Sequence, residues 1–276
     1  MPELLLFLVS ILAGGVGAVT GMGGGVILIP ALTVGWGLDI KRAIALSVLS
    51  MLAISNGAAS RYIKHHMPNL RLSSFLEVYA VIGAVIGSFG ILAFTPRFLF
   101  ICCGTALLIF GVALRRRPPA RAVPHGEQDR YSSALGWQGS YYDEAEGRTI
   151  SYHGRHAAIA GPLMCVAAMA SGLLGMGGSA LIVLMNDLVI GLPQKVALTT
   201  SNLVIGVMAL TSADLYLKAG LIETRLVAPV LLGVALGALI GSRLILKLTN
   251  RTVRTIFVYV LIALGFELLI RGIRLW

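Results

Sequence analysis

The chain repeats itself at a spacing of about 154 positions, which constrains its architecture more than any single motif does. Gly21-Met22-Gly23-Gly24 returns as Gly175-Met176-Gly177-Gly178, Tyr62 and Lys64 as Tyr216 and Lys218, and Arg71-Leu72 as Arg225-Leu226. Gly83-Ala84 and Ile86-Gly87-Ser88 land on Gly237-Ala238 and Ile240-Gly241-Ser242; Thr95, Arg97 and Gly111 land on Thr249, Arg251 and Gly265. Apolar stretches resemble one another by chance, but a register kept through Arg, Lys and Gly describes a duplicated unit. In a membrane chain, internal repeats are the architecture of transporters.

The bilayer follows from composition: 57% of the residues are hydrophobic and 12% charged, a balance no soluble globule carries. Apolar stretches of crossing length run over 4–38, 43–60, 72–94 and 98–114, and again over 157–192, 196–217, 226–248 and 253–270. They are continuous, without the period-two alternation of a barrel strand, so helices are expected. The expected fold is an all-α membrane protein of about eight transmembrane helices in two homologous four-helix repeats, residues 1–114 and 157–276. Between them lies a polar linker, 115–156, with Pro118-Pro119 and Pro124 and an unusual share of aromatics, Tyr131, Trp137, Tyr141, Tyr142 and Tyr152; it reads as a variable loop with no specific task, or as one lying in part against the membrane surface. Met1 reads as the start of the working protein, since the first segment lacks the charged start of a signal peptide.

A net charge of +10 invites a nucleic-acid reading, but the basic residues are strung through loops and form no basic domain. Membrane topology accounts for them better. With the linker cytoplasmic, its arginines obey the positive-inside rule together with Arg61, Lys64, Arg71, Lys218, Arg225, Arg271 and Arg274, leaving Arg243, Lys247, Arg251 and Arg254 around an outer turn. Cys102, Cys103 and Cys165 all fall in apolar spans with no CxxC or Cys/His spacing, and read as small packing residues.

The first apolar segment of each half exceeds one crossing and is glycine-rich in its middle: Gly14, Gly15, Gly17, Gly21, Gly23, Gly24 and Gly25, then Gly172, Gly175, Gly177 and Gly178 before Ser179. Each glycine costs a helix interior about 1 kcal/mol relative to alanine, so the helix is expected to break there. An unwound turn at membrane depth is tolerated where it is buried in protein or lines a watery cavity. The helix that restarts offers unpaired N–H groups and a positive dipole end to a small oxyanion. Gly21, Met22, Gly23, Gly24, Gly25, Gly175, Met176, Gly177, Gly178 and Ser179 are therefore candidate substrate-binding residues. Gly83/Gly87 and Gly237/Gly241 read instead as helix-packing glycines.

The next span is unexpectedly polar in both halves, with Ser47, Ser50, Ser55, Asn56 and Ser60 in one and Thr199, Thr200, Ser201, Asn202, Thr211 and Ser212 in the other. Hydroxyls and amides replace water around an anion without holding it too tightly to leave. The competing use of Ser and Thr is a bond to their own helix backbone. Asp187 and Asp214 flank the polar span and are candidates to carry a coupling proton, since acidic groups at membrane depth are functional suspects. No metal-ligand spacing, Walker sequence, nucleophile elbow or paired carboxylate is present, so no cofactor, metal or enzymatic activity is expected.

On these residues the chain resembles the TauE/SafE family of sulfite and sulfonate exporters. The strongest part is Ser171-Gly172-Leu173-Leu174-Gly175-Met176-Gly177-Gly178, followed by Gly191-Leu192-Pro193-Gln194-Lys195-Val196-Ala197-Leu198-Thr199-Thr200-Ser201-Asn202; Thr20 to Gly25 and Ala43 to Ser47 match more loosely. Ser179 stands where the family commonly has a third glycine, and Ser47-Val48-Leu49-Ser50 replaces the usual Thr-Ser. The resemblance adds Gln194 and Thr199 to Asn202, with Ser47 and Ser50, to the candidate substrate-binding set. It implies a secondary transporter in the cell membrane, a bacterial inner membrane, that exports sulfite, an organosulfonate or a similar small anion, with protons as a candidate coupling ion. The alternatives are an anion channel and an importer of another small organic anion. Four crossings per half make the repeats parallel, whereas a re-entrant first segment makes them inverted.

Overall fold

The computed structural model describes residues 2–21, 23–93, 95–116, 130–174 and 177–274. The apolar runs are helices, since a helix satisfies its interior backbone groups within its own segment. In chain order they are α1 (Pro2–Thr20), α2 (Gly25–Pro30) continued by a π-helical turn (Ala31–Gly35), α3 (Ile40–Lys64), α4 (Leu70–Ala93) and α5 (Pro96–Arg116). After the linker elements α6 (Arg130–Ala134), β1 (Gln138–Asp143) and β2 (Arg148–His153) come α7 (Ala157–Leu174), α8 (Gly177–Leu188), α9 (Gln194–Lys218), α10 (Thr224–Lys247) and α11 (Asn250–Arg274). Among the described residues six helices, α1, α3, α4, α9, α10 and α11, are long and apolar enough to cross a membrane. Shorter apolar stretches lie in α7 and α8. Mostly helical and multi-pass holds; the expected number of crossings was eight.

The break in the first segment is explicit. Gly21, Gly23 and Gly24 have φ of 67°, 74° and 68°, the left-handed region that L side chains enter at a cost of roughly 1–2 kcal/mol each. A Cβ on Gly24 would lie 2.8 Å from the Ala13 carbonyl oxygen, and one on Gly17 would lie 2.5 Å from the Gly24 nitrogen. Residues 13 and 17 are one turn apart on α1, so the chain doubles back on α1 at this turn and α2 returns along it. The first segment is thus a re-entrant pair.

Contacts along the helices fix their directions. Glycines on α10 lie flush on α1 in rising order, Gly233 on Ser10, Gly237 on Ile11 and Gly241 on Gly15, so the two run parallel. In the same way Gly83 and Gly87 on α4 meet Cys165 and Met169 on α7. These are the glycines expected to pack helices, and any Cβ would strike backbone. The N–H of Asn69, just before α4, donates to Thr200 Oγ1 near the start of α9, and Ser88 bonds Ser212 near their ends, so α4 and α9 are parallel. Arg42 bonds Glu223 at one end of α3 and α10 and Arg61 bonds the Leu239 carbonyl toward the other, so these also run parallel. Since α3 and α4 are joined by a short loop and run oppositely, α3 opposes α9. Gly104 against Leu269 and Gly111 against Ile262 make α5 oppose α11.

These directions correct the assignment of charges to sides. Lys218, Arg225, Arg271 and Arg274 lie at the end of the bundle opposite Arg61, Lys64, Arg71 and the linker, whereas Arg243, Lys247 and Arg251 lie at the linker end. The opposite assignment follows from four full crossings per half; the re-entrant first segment, the alternative that the sequence leaves open, reverses it for the second half.

The linker also departs from the all-helical expectation. β1 and β2 form an antiparallel hairpin in the register Gln138↔His153 to Asp143↔Arg148. Alternation decides which side chains face in: Tyr141 and Asp143 of β1 and Tyr152 of β2 are buried, as is Trp137 just before. A lone hairpin is marginal in water, and this one is stabilised by docking on helix ends. Trp137 packs edge-on against Phe75 of α4 with ring centroids 5.2 Å apart, His65 meets Glu144 at 3.3 Å, and the Arg155 N–H donates to the Ile190 carbonyl at 3.0 Å. Three of the linker aromatics, Trp137, Tyr141 and Tyr152, are buried and attach a cap to the protein, with Tyr131 and Tyr142 left exposed.

Candidate functional site

The glycine turn after α1 sits where α3, α8 and α9 meet. A Cβ on Gly21 would lie 2.9 Å from a Leu198 methyl of α9 and 3.2 Å from a Val183 methyl of α8; one on Gly23 would lie 2.5 Å from Met51 Cγ of α3. Only glycine fits both the space and the positive φ. Met22, Gly175 and Met176 lie outside the described residues. Gly177 and Gly178 open α8, and Ser179 in its first turn is fully buried. The two restarting helices differ in length. α2 has six residues, too few for much dipole at its Gly25 start, whereas α8 has 12.

α9 starts after Gly191, with φ of 79°, and Pro193, whose missing N–H is harmless at a helix entry. Its first eight residues are all buried, although five of them are polar or charged. Burial of that kind is expensive unless each group is bonded. Thr199 Oγ1 donates to the Lys195 and Val196 carbonyls, and in α3 Ser50 Oγ donates to the Ser47 carbonyl, so these hydroxyls serve their own helices. Thr200 takes the Asn69 N–H, and Ser201 Oγ accepts from Asn186 Nδ2 of α8 at 2.7 Å.

Two amides do not fit this scheme. Gln194, 4% exposed, and Asn202, 2% exposed, have neither side-chain oxygen nor nitrogen bonded within the described protein. The Asn202 backbone carbonyl, in contrast, accepts from Ser55 Oγ of α3 at 2.8 Å. Each orphaned group costs about 1–3 kcal/mol. Gln194, Leu198 and Asn202 are spaced four residues apart and share one stripe of α9, spanning about 12 Å along its axis. Leu198 is the residue on which Gly21 packs, so the orphaned amides lie above and below the glycine turn. Asn186 Oδ1 of α8 and Ser171 Oγ of α7 are likewise buried without partners.

The acidic candidates separate. Asp214 is exposed and bonded to Lys218 at 2.7 Å, one turn along the same helix. Asp187 is buried in the last turn of α8, next to Asn186.

Sequence reasoning missed three features. Lys195 Nζ meets Asp143 Oδ1 of the cap at 2.8 Å, with both side chains wholly buried. The signal was a lysine just inside an apolar run; its acid, 52 positions back in a polar loop, had none. Tyr62 donates to the Ala18 carbonyl at 3.0 Å and Tyr216 to the Gly172 carbonyl, so the repeated tyrosines tie α3 to the end of α1, just ahead of the Gly21 turn, and α9 to the end of α7. Burial pushes the Tyr152 phenol up to about 12, offset in part by a hydrogen bond with the Asn69 side chain. Among the described residues no three His, Cys, Asp or Glu gather as metal ligands.

No solved structure matches this chain. It is 24% identical over 281 residues to the "Probable membrane transporter protein YunE" of Bacillus subtilis (strain 168), covering 99% of each. The family model for the sulfite exporter TauE/SafE matches residues 6–268, almost the whole helical bundle with its cap. The chain is a multi-pass membrane protein and belongs to the TauE/SafE family of membrane transporters.

Proposed function

We propose that this protein is a secondary transporter exporting a small anion of the sulfite or organosulfonate kind across the plasma membrane, a bacterial inner membrane, through a site formed where its glycine turns meet α3 and α9. The observation that carries the reading is the pair of buried, orphaned amides, Gln194 and Asn202, on either side of the Gly21 turn. Amide N–H groups with the backbone of Gly21 to Gly25 and the start of α8 suit an oxyanion that must also leave. The cargo and the outward direction follow the family's description. Ser47, Ser50, Thr199, Thr200 and Ser201 serve in this reading mainly to hold the helices that present the amides, while Gly177 to Ser179 supply the start of α8.

Alternating access in this reading is exchange between two inverted repeats. Its support is directional: α3 opposes α9, α5 opposes α11, and exchanging the halves turns the α1–α10 pairing into the α7–α4 pairing. Asp187 rather than Asp214 is the candidate proton carrier, because Asp187 is buried whereas Asp214 is exposed. A channel is the alternative; the orphaned amides cover only about 12 Å of α9, less than half of a crossing of about 30 Å, which speaks against it.

The test is flux in reconstituted vesicles with sulfite, methanesulfonate, sulfate and acetate. With the membrane potential clamped at zero, wild type is expected to accumulate labelled substrate against unlabelled substrate loaded on the opposite side, which a channel does not do, and Asn202→Ala is expected to lose at least about tenfold, as for removal of a buried polar contact to ligand. Full flux of an inserted Asn202→Ala variant would remove the proposed site.

A further inference from the structure

We infer that Lys195 is a second binding point for the transported anion at the cap end, and that Asp143 occupies it in this conformation as a built-in anion that the substrate must displace. The inference rests on the proposed anion cargo. Lys195 and Asp143 are both fully buried and 2.8 Å apart. A buried ion pair adds little net stability over well-packed apolar residues of the same volume, so its presence here calls for a use beyond stability.

The surroundings supply that use. Lys195 adjoins Gln194, whose amide is orphaned, and α9 leads on to Leu198 at the Gly21 turn and to the orphaned Asn202. An anion entering from the cap end thus meets a full positive charge first and neutral donors afterwards, which lets it be captured and then released. Asp143 belongs to a separable element: the hairpin is held by the contacts of Trp137, Glu144, Tyr152 and Arg155 with the α3–α4 and α8–α9 connections and the start of α4. The Asp143 carboxylate is shaped by its own turn, accepting from the Ala145 and Glu146 N–H groups at 3.0 and 3.3 Å, so it can leave with the hairpin already solvated on one oxygen. Exchange of one anion for another on Lys195 never strands the ammonium in a low-dielectric site. That removes the main electrostatic barrier to lifting the cap.

The experiment is a binding titration of purified full-length protein with sulfite, methanesulfonate or sulfate, using whichever wild type binds most tightly, alongside vesicle flux. Asp143→Asn removes the internal competitor and is expected to tighten apparent binding about tenfold, since the competent state is no longer taxed by closure. Adding Lys195→Met is expected to abolish the gain and weaken binding below wild type. The doubly neutral variant leaves no unpaired charge, so it decides the matter even if Asp143→Asn does not fold. If the double variant is folded and binds like wild type, or if Asp143→Asn binds no more tightly, Lys195 and Asp143 are a structural pin and the inference fails while the proposed cargo stands. If wild type binds none of the three anions, the cargo reading fails and takes the inference with it.

Discussion

Lys41 and Lys195 occupy the same place in the two halves, in the first turn of α3 and of α9, yet they meet different surroundings. Lys195 is sealed under the cap against Asp143. Lys41 lies at the other end of the bundle, partly exposed, beside Arg42, whose ion pair with Glu223 is half in solvent at 51% and 39% exposure. The hairpin is inserted once and covers one end. Two similar helix starts thus meet different surroundings, and the hairpin at one end makes one of them electrostatically demanding. An exposed pair is worth about 0–1 kcal/mol, whereas removing one member of a buried pair costs about 3–5 kcal/mol.

The sharpest way to break this contrast is Lys195→Met alone. It strands a buried carboxylate and is expected to cost about 3–5 kcal/mol, read as a lowered Tm in detergent, with most of the loss recovered when Asp143→Asn is added. Recovery would mean the charge, not side-chain shape, sets the penalty. Gly23→Ala comes next. Its φ of 74° and the nearby Met51 predict a loss of about 1–2 kcal/mol with reduced flux, and an unchanged Tm would show that the turn relaxes freely.

Asn202→Leu goes the other way. Replacing an orphaned amide by an apolar group is expected to leave stability unchanged or raise it by about 1 kcal/mol while transport collapses, which separates a functional polar group from a structural one. The smallest effect belongs to Glu223→Gln at the uncapped end. Below about 1 kcal/mol in Tm and no change in flux are expected; a loss matching that of Lys195→Met would erase the contrast.

The residues show unevenly how much could be read in advance. The glycines at 83, 87, 237 and 241 were legible because small residues at four-residue spacing in an apolar helix have one common use, and each lies on a neighbouring backbone. The break at Gly21 was legible for the same local reason. The polar span was legible only as a group. Ser50 and Thr199 turn back to their own helices, Thr200 and Ser201 bond neighbours, and Asn202 alone of that run presents an orphaned side chain. Composition cannot separate these uses, because a hydroxyl one turn from a carbonyl and one facing a neighbour look alike in sequence.

What the sequence determined by itself was the bilayer, the helices, the glycine break and the family, since each depends on local composition or on a pattern within one segment. Tertiary structure decided the rest: that α2 doubles back so the halves run in opposite directions, that the linker folds into a hairpin with Trp137, Tyr141 and Tyr152 buried, and that Lys195 finds Asp143. Those outcomes depend on contacts between distant segments. A charge or an amide acquires its energetic meaning only from what surrounds it once water is gone.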